Sequence, residues 1–444
     1  MSIEINTKCG KIIGNEREDC LEFLGIPYAT AKRFEYPEMV ENREKTYEAT
    51  HFGPCCEQAR TYFQDLTIPA RRFYYKEFRE GQEFAYSEDC LNLNIYTPKT
   101  IIKDNVKYPD LVFIHGGGFN SMANCEGYLD GAEYAKRGVI LVTINYRVGA
   151  LGYMTHDEIF DAFGHDGNFG LADQIMALKW IKKHIEDFGG TPDKITVMGQ
   201  SAGAISVQDL CLTDECKGLF GGAIMMSGGG NWPGFASPKH YLITRDYWKT
   251  VIEQSGAESF EEFKTMPVKD VLYGVEKTKK IRKDTMFCTM PVIDEFFLKD
   301  KVKKLIKKPM DIPYMIGVTN NDMYTLFLAT MAKRYTKRNN AYMYYFDVDA
   351  PGEDNNQAFH SSDLRYMFGT LDRSFRDYTK EDYEISKLMI DYVSAFVKNG
   401  NPNQDKCPVW KRGKAALLIG KNGISMGRMG LLKIIKNTFK GDPT

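Results

Sequence analysis

The sequence predicts an α/β protein, with a mostly parallel sheet covered on both faces by helices. Three observations predict it. Short apolar, β-branched runs at residues 111–114, 139–148 and 195–198 read as buried strands. Amphipathic helical stretches alternate with them along the chain, as parallel strands with crossover helices require. The third is an abrupt junction. Residues 193–207 join a strand directly to a helix through Gly199-Gln-Ser-Ala-Gly203. No repeat, low-complexity stretch or flexible linker divides the chain, so one domain over residues 1–444 is the economical reading, with a helical insertion at roughly 230–310.

The elements follow in order. Residues 2–30 carry short β-type runs punctuated by Gly10 and Gly14, which predicts an opening antiparallel hairpin. Residues 50–88 are polar and aromatic without a clear period, and read as a long irregular surface excursion. Residues 91–96 alternate Leu and Asn, a half-buried strand. In the stretch 171–188, Leu171, Ile175, Leu178, Ile181 and Ile185 recur at helical spacing, and Gly189-Gly190 stop the helix. After the junction at Ser201 a helix runs from Ala202 to about Leu212, followed by a strand at 222–226. Residues 240–310 are charged and mainly helical in pattern. Strands at 312–318 and 341–348 precede an amphipathic helix at 383–397, closed by Asn399-Gly-Asn-Pro402. A hairpin and a short helix at 431–439 form the tail.

Composition narrows the function classes. The 58 basic and 59 acidic residues nearly cancel, which argues against a nucleic-acid or membrane-surface partner by bulk charge. No apolar run reaches membrane-spanning length. Met1-Ser-Ile-Glu-Ile-Asn6 shows no basic segment followed by an apolar core, so a cytoplasmic location is expected, secretion after processing remaining open. The ten cysteines form no C-x-x-C pair, and mostly reduced thiols are expected.

The chemistry concentrates at Ser201. A strand that turns sharply into a helix holds its serine in a strained conformation with Oγ exposed at the sheet top, and glycines two residues either side avoid a clash. A second G-x-S-x-G, Gly423-Ile-Ser-Met-Gly427, lacks a following helix and any later histidine, and reads as a hairpin strand. A serine needs a base. Only His240 and His360 follow Ser201; His240 leaves little chain for an intervening acid, whereas His360 lies in a loop after the strand 341–348. The acid belongs after a strand between them. Asp322, just beyond the apolar run 313–318, meets this, and Asp294 is the alternative. His115-Gly-Gly-Gly-Phe119 follows another apolar strand. Its glycines let backbone amides approach a reacting oxygen; no Gly-Lys-Ser/Thr follows, as a phosphate loop would need.

With these residues in place the chain resembles the type-B carboxylesterase/lipase family, which includes the cholinesterases and neuroligins. Ser87-Glu-Asp-Cys-Leu-Asn-Leu-Asn94, Gly167-Asn-Phe-Gly-Leu-Ala-Asp173, Phe188-Gly-Gly-Thr-Pro-Asp193 and Asn399-Gly-Asn-Pro-Asn403 are similar to its motifs, and the resemblance runs from near residue 10 to near 410. It implies an α/β-hydrolase fold and hydrolysis of small-molecule carboxylic esters without metal or organic cofactor. It implies Ser201 as nucleophile, His360 as base and Asp322 where the family has glutamate. Gly117, Gly118 and Ala202 match its oxyanion amides, and Ser227 resembles a serine that supports the triad. Gln200 stands where the family has glutamate. The absence of tryptophan before Cys90 removes the cholinesterase-type cation site. Cys56 and Cys90 resemble a pair that is bridged in secreted members. The compact stretch after residue 230 opens the acyl side of the pocket, where Trp232 would form a wall. Two other functions fit the same resemblance, a non-catalytic binding protein and a hydrolase of thioesters, lactones or amides. Neither the exact ester nor the oligomeric state follows from sequence.

Overall fold

The computed structural model describes residues 1–41, 45–102, 106–230, 236–283, 288–322 and 341–427, except positions 355, 406, 414 and 422. Its twelve principal strands are β1 (Ser2–Thr7), β2 (Gly10–Glu16), β3 (Leu21–Pro27), β4 (Asn92–Thr97), β5 (Tyr108–Ile114), β6 (Ile140–Ile144), β7 (Gly190–Gln200), β8 (Gly222–Met226), β9 (Tyr314–Thr319), β10 (Ala341–Asp347), β11 (Ala416–Gly420) and β12 (Gly423–Gly427). They form one sheet in the order β1-β2-β3-β4-β6-β5-β7-β8-β9-β10-β11-β12. From β6 to β11 every neighbouring pair is parallel; the first four strands and β12 are antiparallel to their neighbours.

Burial explains the run of strand residues. Leu111–Ile114 of β5 and all of β6 and β8 are buried, because helices cover both faces. The main helices are α1 (Pro69–Phe78), α2 (Phe169–His184), α3 (Ala202–Leu210), α4 (Tyr241–Ser255), α5 (Val268–Ile281), α6 (Leu364–Phe368) and α7 (Lys380–Asn399). α2 tightens into a 3₁₀ turn at Ile185–Phe188 and stops at Gly189, whose φ of 85° a side chain would resist. α7 starts with a reciprocal Thr379–Asp382 capping box and ends at left-handed Gly400.

Register places the functional loops. Ile114 pairs with Gly199, Gln200 with Met226, Met226 with Gly317, and Gly317 with Tyr344. The carboxyl ends of β5, β7, β8, β9 and β10 therefore share one edge, where ligands bind in open parallel sheets.

Two expectations are revised. The stretch 50–88 is not irregular. It holds a short helix at Ala59–Phe63 and α1, because its aromatic residues find partners: the Phe73 ring meets Phe359 edge-on at 4.9 Å, and Phe78 meets Tyr128 at 5.4 Å. The opening hairpin is larger than expected, since β3 also pairs with β4 and joins it to the main sheet. The tail helix at 431–439 lies outside the described residues. Gly423–Gly427 is a hairpin strand paired with β11.

Candidate active site

β7 ends at Gln200 and α3 begins at Ala202, leaving Ser201 alone at the turn with φ 57° and ψ −122°. That conformation is costly for a residue with a Cβ. Its surroundings enforce it. A Cβ at Gly199 would strike the Gly203 backbone, and one at Gly203 would strike the carbonyl oxygen of Ile114. The Ser201 N–H donates to the Met226 carbonyl at 2.8 Å, which ties the turn to β8.

The glycine loop lies beside it, since β5 and β7 run in register. Gly117 and Gly118 have φ of 94° and 61°. Their carbonyls are held within the loop: Gly117 accepts from Asn120 N at 3.0 Å and Ser121 Oγ at 3.1 Å, and Gly118 accepts from Asn120 Nδ2 at 2.7 Å. The Gly117 and Gly118 N–H groups donate to no protein acceptor among the described residues. The Ala202 N–H, first in its helix, has no intrahelical acceptor either. His115, at the base of this loop, stacks on Tyr146, and its Nδ1 lies 3.0 Å from the Gly116 carbonyl oxygen. Burial pushes its imidazole down to about 3, so it is neutral near pH 7.

His360 and Asp322 come from the next two strand ends. His360 Nδ1 lies 3.0 Å from Asp322 Oδ2, and Thr319 Oγ1 donates to the same oxygen at 3.3 Å. Asp322 is fully buried and the imidazole 17% exposed. Backbone pairing holds the two loops together, with Asn321 N donating to Ala358 O at 2.9 Å. Asp294 sits elsewhere. Its Oδ1 accepts from the N–H groups of Phe296 at 3.2 Å and Leu298 at 2.8 Å. Burial raises its carboxyl to about 6, against the hydrogen bond from Asn168.

Gln200, Ser201, Gly117, Gly118 and His360 line one cavity of about 460 Å³, a volume suited to a small molecule. Gln200 is buried and donates from Nε2 to Ser361 Oγ at 2.7 Å; the same nitrogen lies 3.4 Å from His360 Nε2. The Ser227 N–H donates to Gly317 O at 2.8 Å, while its buried Oγ has no hydrogen-bond partner among the described residues. Trp232 lies outside the described residues. On the α3 side, Phe119, Tyr153, Ile205, Ala236 and Met290 pack with Ala202 as a separate apolar cluster.

Residues missed by sequence reasoning complete the support. Asp363 is buried and accepts from the Tyr344 hydroxyl at 2.9 Å. Burial raises its carboxyl to about 6; the Tyr344 bond opposes this and the neighbouring Asp322 charge adds to it. Tyr344 fits because Gly317 has no Cβ, which would fall inside its ring. The signal was present in His360-Ser-Ser-Asp363 and in a strand rich in tyrosine, but only packing joins them. The ten cysteines are unbridged, with Cys56 and Cys90 in hydrogen-bond contact. Among the described residues, no cluster of His, Cys, Asp or Glu is arranged to hold a metal ion, and no helix is long and apolar enough to cross a membrane.

A mostly parallel sheet, a strand–serine–helix turn and loops gathered at the strand ends define an α/β-hydrolase fold. The chain matches the model of the carboxylesterase family over residues 1–334 and 323–417, belongs to that family, and is a carboxylic-ester hydrolase. It is 28% identical to the para-nitrobenzyl esterase of Bacillus subtilis (strain 168), over 90% of this chain and 91% of that one. It is 42% identical to the mouse (Mus musculus) bile salt-activated lipase over 49% of this chain and 33% of that protein. A solved PNB esterase structure superposes with a TM-score of 0.83 at 25% identity, covering 99% of both chains.

Proposed function

We propose that the chain hydrolyses carboxylic esters through Ser201, His360 and Asp322 and an acyl-enzyme. His360 Nε2 takes the Ser201 proton as Oγ attacks the ester carbonyl carbon. The oxygen that gains charge accepts hydrogen bonds from the Gly117, Gly118 and Ala202 amides. The intermediate collapses, and the alcohol departs with the proton from His360. Water, deprotonated by His360, then attacks the acyl carbon and frees Ser201. Asp322 keeps the Nδ1 proton in place and stabilises the imidazolium that forms twice in each cycle.

The observation that carries this reading is the 3.0 Å approach of His360 Nδ1 to Asp322 Oδ2 beside a cavity that His360 shares with the strained Ser201. The test is Ser201→Ala together with covalent trapping by a fluorophosphonate. The variant is expected to lose ester turnover and the phosphonyl mass increment, with its thermal unfolding unchanged. Full labelling or turnover in the variant would refute the assignment.

A further inference from the structure

The cavity beside Ser201 is lined by aromatic residues, Tyr74 and Phe78 among them, and by the cations Arg60, Arg71 and Arg79. Lys279 also lines it but is neutralised by Glu276 at 2.7 Å. Arg71 lies within electrostatic reach of the Asp65 carboxylate, which also lines the cavity, but Arg60 and Arg79 are not matched in this way. Arg60 Nη2 and Arg79 Nε lie 3.5 Å and 3.4 Å from the two oxygens of a single carboxylate, Glu126, which is completely buried. Both distances are long for charge-assisted hydrogen bonds. Arg79, which is buried, and Arg60, which is partly buried, thus share one counter-charge. Guanidinium does not lose its proton at accessible pH, so the excess positive charge is permanent.

The charge is also held rigidly. Arg60 Nε donates to Gln58 Oε1, and the same oxygen accepts the Met122 N–H at 3.1 Å. Gln58 Nε2 donates to the Cys56 carbonyl at 2.9 Å. Arg60 is therefore fixed to the loop that carries Gly117 and Gly118. Its Nη1 has no hydrogen-bond partner among the described residues, and the side chain, 25% exposed, lines the cavity. Arg79 is braced by the Tyr86 hydroxyl at 3.2 Å and by the Phe84 ring. Arg71 is exposed on α1 at the same wall. A pre-oriented, partly buried cation that lacks a full counter-charge is unfavourable until an anion reaches it, and a bound anion recovers that cost at binding.

We infer that the preferred substrates are esters bearing a second, ionised carboxylate, which Arg60 receives with Arg79 behind it. This rests on Ser201 being the ester-cleaving nucleophile. Arg60 is here a specificity-determining residue. The carboxylate could belong to the acid or to the alcohol half of the ester.

Two matched pairs of esters separate those sources in the full-length protein. For the acid half, the mono-4-nitrophenyl ester of adipic acid is compared with 4-nitrophenyl hexanoate. For the alcohol half, 4-(carboxymethyl)phenyl butanoate is compared with 4-methylphenyl butanoate. In one pair the anionic ester should show the higher kcat/KM, by roughly tenfold or more, as a charge-assisted hydrogen bond implies. That preference should shrink as salt is raised. Arg60→Gln should cut the anionic-to-neutral ratio by about tenfold, and Arg60→Lys should restore part of it. A ratio at or below one in both pairs would overturn the inference without needing any variant. So would an equal loss on both esters in folded Arg60→Gln, which would mark Arg60 as structural support alone. Failure to cleave any of the four esters would count against the Ser201 reading instead.

Discussion

Asp322→Asn is the sharpest probe of the site. The carboxylate is buried and accepts from His360 Nδ1, so the substitution removes one negative charge and turns an acceptor into a group that can donate. For full charges 3.0 Å apart, at an effective dielectric of about 20, the lost attraction to the imidazolium is about 5.5 kcal/mol. At about 1.4 kcal/mol per tenfold, that predicts a fall in kcat of about ten-thousand-fold. Removing the acid of a serine triad has an effect of the same order, through the wrong tautomer of the histidine. KM should change little, because Asp322 touches no substrate. The fold should survive, since the Asp322 charge disfavours ionisation of buried Asp363 and its removal relieves that pair. The assay is steady-state hydrolysis of 4-nitrophenyl butanoate, with thermal unfolding as the control. A loss below about tenfold in a folded variant would refute the reasoning, as would a larger loss from Asp294→Asn.

Asp294→Asn should instead alter the pH dependence of stability. Burial raises Asp294 to about 6 from 3.8, so the folded state holds this proton more tightly than the unfolded chain. Its stabilising contribution is complete below about pH 4 and is lost as pH rises through about 6, an order of 3 kcal/mol. Urea unfolding at about pH 4 and pH 7 should show the variant gaining by that amount relative to the parent between the two. Gly117→Ala forces a side chain onto a φ of 94° and into the Ser121 backbone, so kcat should fall about 100- to 1,000-fold as the loop amides move; unchanged kcat would remove Gly117 from the oxyanion site. Gly203→Ala drives a methyl group into the Ile114 carbonyl, and chemical denaturation should show at least about 2 kcal/mol of destabilisation.

The strands and helices that matter were legible because their signals are local. An apolar run, a helical period ended by Gly189, and glycines flanking Ser201 each constrain a few neighbouring residues. Candidates for nucleophile and base could be narrowed by chain order alone, since few histidines follow Ser201. Choosing between Asp322 and Asp294 could not be done that way: both follow apolar runs, and only the three-dimensional packing brings one to His360 while giving the other to the amides of Phe296 and Leu298. The stretch 50–88 shows the same limit. Its aromatic and basic residues have no period to read, because their partners, Phe359, Tyr128 and Glu126, lie far along the chain.

By itself the sequence determined the α/β alternation, the strained serine turn and the glycine loop, since steric rules acting within a few residues specify each of them. Tertiary structure alone decided which carboxylate lies against His360, that Tyr344 and Asp363 pair nearby, and that two arginines share one buried glutamate. Those are long-range pairings, set by sheet register and by the need to satisfy buried charge, and neither leaves a trace in a local window of residues.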